Sequence, residues 1–170
     1  MTEFLQQIIN GLIVGGIYSL VALGYTMVYG ILQLINFAHG DIVMVGAMAA
    51  LLAAKVLMTL FPGMPGPLVL ALSVVAAVVV CVPLSLIIER VAYRPLRNAP
   101  RLAPLITAIG VSLTLQTIVM VFFGRNYHEF PSLVPQEPIE FHGLVISVTQ
   151  IIILVLSLVC MVCLALLIEK

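Results

Sequence analysis

Five long apolar runs, separated by polar or Pro/Gly-rich connections, make up most of the chain. They cover residues 8–29, 42–60, 68–88, 102–123 and 145–168. Each run is close to the roughly 20 residues that an α-helix needs to cross about 30 Å of hydrocarbon. The runs are continuously apolar, whereas strands of a membrane barrel alternate apolar and polar residues. The pattern predicts an all-α, polytopic bundle of about five transmembrane helices, forming one membrane domain over residues 1–170.

Composition narrows the class further. Hydrophobic residues make up 63% of the chain and charged residues 8%, with a net charge of zero. A nucleic-acid binder would carry a basic surface, so that class is excluded. The start of the chain, MTEFLQQIINGLIVGG, has no Lys or Arg, whereas a cleaved signal peptide begins with a basic region. The first apolar run is therefore predicted to be a membrane span.

The basic residues predict which side of the membrane each connection occupies. Residues 89–101 hold four arginines among the seven basic residues of the chain, namely Arg90, Arg94, Arg97 and Arg101. Short loops rich in Lys and Arg stay in the cytoplasm, which puts the N-terminus and the long loop 124–143 outside. The arginines have two interpretations: anchoring to lipid phosphates, or docking of a cytoplasmic partner. Pro95 and Pro100 are expected to prevent one continuous helix through them.

The connection after the first run, INFAHGD, concentrates polar groups. Asn36 and Gly40 disfavour a helix interior, and Asn or Asp before an apolar run is a capping signal, so the first helix is expected to end near Gly30. The segment is either a solvated turn or a broken helix facing a solute cavity in the membrane. The lack of Lys and Arg favours the broken helix. Asn36, His39 and Asp41 then become candidates for a translocation path, and a His39–Asp41 pair that merely holds the break in shape is the alternative.

Two spans carry stripes of small or hydroxylated residues on one helical face. In the first span the stripe includes Gly11, Gly15 and Ser19, and in the fourth it includes Thr107 and Thr114. Small residues let membrane helices approach closely, and hydroxyls bond backbone carbonyls or neighbouring helices. Packing is the simpler interpretation of both stripes, and a path-lining face is the alternative. Ser112 and Gln116 are expected to point away from the second stripe.

Three stretches together resemble one family. They are GYTMVYGILQLINFAHGD (24–41), ERVAYRPLR (89–97) and LITAIGVSLTLQ (105–116). In this order they are similar to the permease subunit of bacterial branched-chain amino-acid ABC importers of the LivH type. The resemblance implies an inner-membrane permease that works with a second permease subunit, two cytoplasmic ATP-binding subunits and a periplasmic solute-binding protein. It implies no catalytic residue, metal or cofactor in the permease, and the chain has no G-x-x-x-x-G-K-[ST] phosphate-binding loop.

The chain departs from the family in length. Permeases of this kind are nearly twice as long and continue into a cytoplasmic segment that docks on the ATPase, so we expect a truncated permease comprising the N-terminal part. A pore-forming channel subunit or a non-transporting permease fragment is the alternative. A membrane enzyme using His39 and Asp41 lacks a third catalytic group in the sequence pattern.

Overall fold

The computed structural model describes residues 2–32, 36–96, 99–100, 102–133, 138–141 and 144–168. Within this part of the chain the α-helices are α1 (Thr2–Leu32), α2 (His39–Leu60), α3 (Gly66–Ile88), α4 (Leu102–Phe123) and α5 (Val148–Ile168). A hairpin of β1 (Pro138–Phe141) and β2 (Leu144–Ser147) lies between α4 and α5. All five helices are long and apolar enough to cross a membrane. The chain is a multi-pass, all-α membrane protein, as predicted.

The hairpin is a correction, because the sequence predicts one long loop over residues 124–143. Its strands pair antiparallel, with Pro138 opposite Ser147 and Phe141 opposite Leu144. The loop itself starts where Gly124, at φ +80°, ends α4, and its N–H donates to the carbonyl of Met120 at 2.9 Å. A left-handed glycine of this kind is a common helix C-cap, because it avoids the Cβ clash of other residues.

The fifth helix begins at Val148 rather than at Val145, which belongs to β2. The reason is a capping box. The Ser147 N–H donates to Gln150 Oε1 at 3.0 Å, and the Gln150 N–H donates to Ser147 Oγ at 3.3 Å. These two bonds satisfy backbone donors that the first turn of a helix leaves without partners.

The segment after α3 is helical, whereas the sequence predicts a loop there. A π-helical turn covers Glu89–Tyr93 and a 3-10 turn covers Arg94–Leu96; we call residues 89–96 the arm. Pro95 has no N–H to donate, and the chain has already left α geometry one turn before it. The arm therefore prolongs α3 by a wider π turn and then a tighter 3-10 turn. Pro83 lies inside α3.

Two compact units divide the chain, and each is described by itself. The central unit is Val28–Leu133, and the terminal unit combines Met1–Met27 with Val134–Lys170. In the central unit α2 packs antiparallel against α3, where Ala54 and Val69 are buried and the Ser73 hydroxyl donates to the Val69 carbonyl at 2.7 Å. In the terminal unit α1 meets α5 at Gly16, where an added Cβ would lie 2.7 Å from Ser157 Oγ.

The two ends of α3 have different neighbours. At its start, a Cβ on Gly66 would collide with the backbone carbonyl of Leu133. The turn from α2 to α3 and the segment after α4 therefore lie at the same end of the central unit. At the other end, Tyr93 of the arm reaches Asn36, just ahead of α2. The arm and the connection between α1 and α2 consequently share the opposite end.

Candidate functional site

A break between α1 and α2 is the first component of the site. Helix α1 ends at Leu32, slightly later than Gly30, and α2 starts at His39. The N-cap is Ala38, not Asn or Asp, but Asn36 performs a related task from two residues upstream. Its Oδ1 accepts the Ala38 N–H at 3.1 Å, and its backbone carbonyl accepts the His39 N–H at 3.1 Å. Such an Asx turn redirects the chain into the helix. Ile35 lies outside the described residues.

Tyr93 of the arm also bonds the side-chain amide of Asn36. The Tyr93 hydroxyl donates to Asn36 Oδ1 at 2.6 Å, so this one oxygen accepts two hydrogen bonds. Both side chains are partly buried. The entry into α2 is thereby fixed to the π-helical turn that follows α3.

A buried carboxylate is the second component. Asp41 lies in the first turn of α2 and is 9% exposed. Gln116 of α4 donates its Nε2–H to Asp41 Oδ1 at 2.9 Å, and the same nitrogen lies 3.3 Å from Ser112 Oγ. The negative charge also faces the positive end of the α2 dipole. The partner on α4 is thus a neutral amide.

Gln116 was not predicted to belong to the site. The sequence favours Thr107 and Thr114 as the polar face of α4, with Ser112 and Gln116 pointing elsewhere, whereas in the structure Gln116 bonds Asp41 and also contacts Ser112. The available signal was the spacing of four residues between Ser112 and Gln116, which places both on one helical face. A helical wheel defines such faces but does not say which of them meets the neighbouring helix.

The position of Gln116 along α4 sets the level of the site. Helix α4 runs Leu102–Phe123, so at about 1.5 Å per residue Gln116 is about 21 Å from its start and about 10 Å from its end. Asp41 therefore lies beside the interior of α4 and not beside either terminus.

The predicted threonines bond within their own helix. Thr107 Oγ1 donates to the Ala103 carbonyl at 2.9 Å, and Thr114 Oγ1 donates to the Gly110 carbonyl at 2.8 Å. Back-bonding of this kind satisfies a hydroxyl without any second helix. A path-lining role for these two residues stays a prediction.

The small-residue stripe on α1 is largely exposed. Gly11 and Ser19 are exposed, and a Cβ added to Gly11 or Gly15 would meet no described atom within 4 Å. The close approach to α5 occurs at the neighbouring Gly16 instead. The stripe as a packing surface therefore stays a prediction, and the glycine that α5 approaches was not singled out.

The remaining predicted residues flank the break. His39 is half-buried in the first turn of α2, and the alternative of a His39–Asp41 pair stays a prediction. Arg90 and Arg94 are exposed on the arm, whereas Arg97 and Arg101 lie outside the described residues. Among the described residues there is no group of three or more His, Cys, Asp or Glu that would hold a metal ion.

A second polar region lies in the terminal unit. Gln6 Nε2–H donates to the Val145 carbonyl at 2.8 Å, and the Val145 N–H donates to Gln6 Oε1 at 2.9 Å. The side-chain amide thus pairs with β2 as a neighbouring strand would. Beside it is an open cleft of about 670 Å³ lined mainly by amide side chains.

Comparisons with known proteins give one consistent relationship. Residues 7–170 match the family described as the permease component of branched-chain amino acid transport systems. The chain is 42% identical over 173 residues to the high-affinity branched-chain amino acid transport system permease protein BraD of Pseudomonas aeruginosa, covering 99% of this chain and 56% of BraD. It is 46% identical over 132 residues to the corresponding LivH protein of Escherichia coli K12, covering 76% of this chain and 42% of LivH. The chain spans about half the length of these relatives. No solved structure matches.

Proposed function

Because the chain belongs to the family of branched-chain amino acid transport permeases, we propose that it acts within the permease subunit of an ABC importer in the bacterial inner membrane. The solute is a branched-chain amino acid or a related compound. The names of the relatives support this assignment. A second permease subunit, two ATP-binding subunits that hydrolyse ATP, and a periplasmic solute-binding protein complete the importer.

The translocation path in this proposal includes the break and Asp41. The observation that carries it is the hydrogen bond between Asp41 and Gln116 in the interior of α4. With α4 as a membrane span, this contact supports a position of Asp41 inside the hydrocarbon layer, where a charged side chain costs at least about 2.5–3.5 kcal/mol on insertion scales. A solvated surface turn would leave this cost unexplained. Contact between the carboxylate and a solute explains it.

The chemistry of the break suits a zwitterionic amino acid. Asp41 supplies a negative charge for the ammonium group, and the positive dipole end of α2 favours the carboxylate. Asn36 and His39 lie at this helix entry. Gln116 is neutral, so it orients the Asp41 carboxylate without neutralising it. The solute is held by one charge of each sign and can leave again.

The proposed orientation follows the arginines, with the arm in the cytoplasm and the turn between α2 and α3 outside. The shared location of the arm and the break at one end of the central unit, opposite Gly66 and Leu133, supports it. Val91 on the arm and Tyr127 after α4 are 71% and 99% exposed and serve as labelling positions. An impermeant thiol reagent added to intact cells should label the Tyr127→Cys variant and spare Val91→Cys. The reverse pattern would invert the topology.

Uptake measurements test the function itself. Cells without endogenous branched-chain uptake would express the importer with or without this subunit, and labelled leucine, isoleucine and valine would be followed. We expect concentrative uptake that needs the subunit, ATP and the solute-binding protein. Downhill flux that persists without ATP would support the channel alternative and contradict the proposal, and so would uptake that is unchanged when the subunit is omitted.

A further inference from the structure

Tyr93 joins the arm to the break. In the proposed function the arm lies at the cytoplasmic face and the break lies on the translocation path, so the two must move together. Its hydroxyl donates to Asn36 Oδ1 at 2.6 Å, and that oxygen also accepts the Ala38 N–H at 3.1 Å. The phenol therefore fixes the amide that shapes the entry into α2. Asp41 follows within the next turn of the same helix. Four residues of the chain separate Asn36 from Asp41.

The π-helical turn decides whether the hydroxyl reaches Asn36. Arg94, at the end of this turn, donates its N–H to the carbonyl of Glu89, five residues back. A π turn accommodates one residue more than an α turn, and such turns are frequent at functional sites. Were the arm α-helical, residue 93 would be displaced by about one position, or about 100° around the axis. The bond from Tyr93 to Asn36 thus depends on the π register.

In the described part of the chain, the outer face of the arm is exposed and accessible to a partner subunit. Arg90, Val91 and Arg94 are exposed, while Tyr93 between them is half-buried and turned to the break. A contact that moves the arm acts on the same short turn whose register positions Tyr93. One element therefore presents charged groups on one face and the bond to Asn36 on the other.

We propose that Tyr93 is a positioning residue that couples the arm to the break: it holds Asn36 while the arm is in its π register and releases it when the arm shifts. The proposal rests on the proposed transport function and adds a residue and a route of coupling to it. Movement of the arm, driven by a cytoplasmic subunit, changes the entry into α2 and with it the position of the Asp41 carboxylate. A single neutral hydrogen bond is weak enough to break and re-form in each cycle.

A merely structural role for Tyr93 makes different predictions. Tyr93→Phe keeps the ring and its packing and removes only the donated hydrogen bond. If Tyr93 were structural, the variant would lower the amount of assembled importer and leave the transport rate per complex unchanged. If Tyr93 positions the break, assembly persists, while uptake per ATP hydrolysed falls. The ratio of solute transported to ATP hydrolysed therefore separates the two roles.

The test uses the complete importer in proteoliposomes, with the solute-binding protein and ATP. We expect Tyr93→Phe to lower uptake per ATP several-fold at a normal amount of complex, and Tyr127→Phe, at a side chain that is 99% exposed, to have no effect. Asn36→Asp keeps an acceptor oxygen and should lose less of the coupling than Asn36→Leu, which has none. The Tyr93→Phe/Asn36→Leu double variant should be no worse than Asn36→Leu alone, because both changes remove the same bond.

The outcomes distinguish this inference from the proposed function. Absence of ATP-dependent uptake in the unmodified importer would contradict the transport function. Normal uptake in the unmodified importer together with an unchanged transport-to-ATP ratio in Tyr93→Phe would overturn the coupling role alone. Additive losses in the double variant, or equal losses in Asn36→Asp and Asn36→Leu, would also overturn it. Should Tyr93→Phe fail to assemble, the two Asn36 variants decide the question by themselves.

Discussion

Two glutamines join elements of this protein, and they do so in different ways. In the terminal unit, Gln6 of α1 exchanges two hydrogen bonds with the backbone of Val145, in an exposed position. In the central unit, Gln116 of α4 donates to the carboxylate of Asp41, which is 9% exposed. Loss of Gln6 leaves backbone groups that water can reach. Loss of Gln116 leaves a buried charge, which costs far more unless something else pairs with it.

The two glutamines therefore differ in role: Gln6 stabilises the structure, and Gln116 belongs to the proposed transport site. Bonds to an exposed backbone edge hold a hairpin on a helix, and their net contribution is about 0.5–1.5 kcal/mol each. A buried carboxylate is a liability for stability, so its presence in an apolar bundle needs another reason. We assign that reason to transport.

Replacing the charge of Asp41 should have the largest consequence. Asp41→Asn keeps the size of the side chain and its hydrogen bond to Gln116 but removes the charge that meets the solute. A hydrogen bond to a charged group contributes about 1.5–3 kcal/mol, so we expect uptake to fall by about ten- to a hundredfold while the complex still assembles. Glu129→Gln, at an exposed carboxylate after α4, is the matched control and should transport normally.

Removing the amide of Gln116 should have the next largest effect. Gln116→Leu withdraws the donor at 2.9 Å from Asp41 Oδ1, and an unsatisfied buried group costs about 1–3 kcal/mol. We expect a lower unfolding midpoint in detergent together with reduced uptake. Thr117→Val is the control on the same helix, because its hydroxyl bonds only the Leu113 carbonyl among the contacts that the structure describes. Equal effects of the two substitutions would remove the reason for placing the path at Gln116.

A glycine pair tests packing in the terminal unit without touching polar groups. In Gly16→Ala the new methyl would lie 2.7 Å from Ser157 Oγ, whereas in Gly11→Ala it would meet no described atom within 4 Å. Overpacking of this kind costs about 1–3 kcal/mol, and alanine in an open helix position gains up to about 1 kcal/mol over glycine. Thermal unfolding should therefore shift in opposite directions for the two variants. A larger loss at Gly11 would show that the stripe, not Gly16, is the packing surface.

The smallest effect is expected at Gln6. Gln6→Leu removes both bonds to Val145, but water replaces them at this exposed position, so the net loss of stability should be about 1 kcal/mol. Proteolysis within residues 138–147 should become faster than in Gln7→Leu, a neighbouring variant. Uptake should change little. A loss of uptake as large as that of Asp41→Asn would erase the distinction between the two glutamines.

Much of the architecture was predictable, because membrane spans are encoded by length and hydropathy. The five helices, the break after the first and the turn before Gly66 all follow from that pattern. The start of α5 was also encoded, in the Ser147 and Gln150 capping box, but the apolar run extends past it and hides the signal. The hairpin was missed, since the run also includes β2.

The contacts of the site were less predictable than its components. Asn36 and Asp41 stand out as polar residues in an apolar chain, yet their partners depend on tertiary structure. Gln116 meets Asp41 because of the rotation of α4 about its axis. The α4 sequence has two polar faces, and nothing in it indicates which one contacts α2. Tyr93 reaches Asn36 because the arm is π-helical, and nothing in its local sequence distinguishes a π turn from a proline-terminated loop.

Solute protection at the break would show whether the break lines the translocation path. Phe37 is 44% exposed and adjoins Asn36, so Phe37→Cys, in a chain whose native cysteines are replaced by alanine, reports on the break and leaves its polar residues intact. In the complete importer we predict that a water-soluble thiol reagent modifies this position, that modification stops uptake, and that the transported amino acid slows the reaction several-fold. Tyr127→Cys, at a side chain after α4 that is 99% exposed, should react at a rate independent of the solute. If Phe37→Cys also reacts at one rate with and without solute, and uptake survives the modification, the break is a solvated turn and the path lies elsewhere.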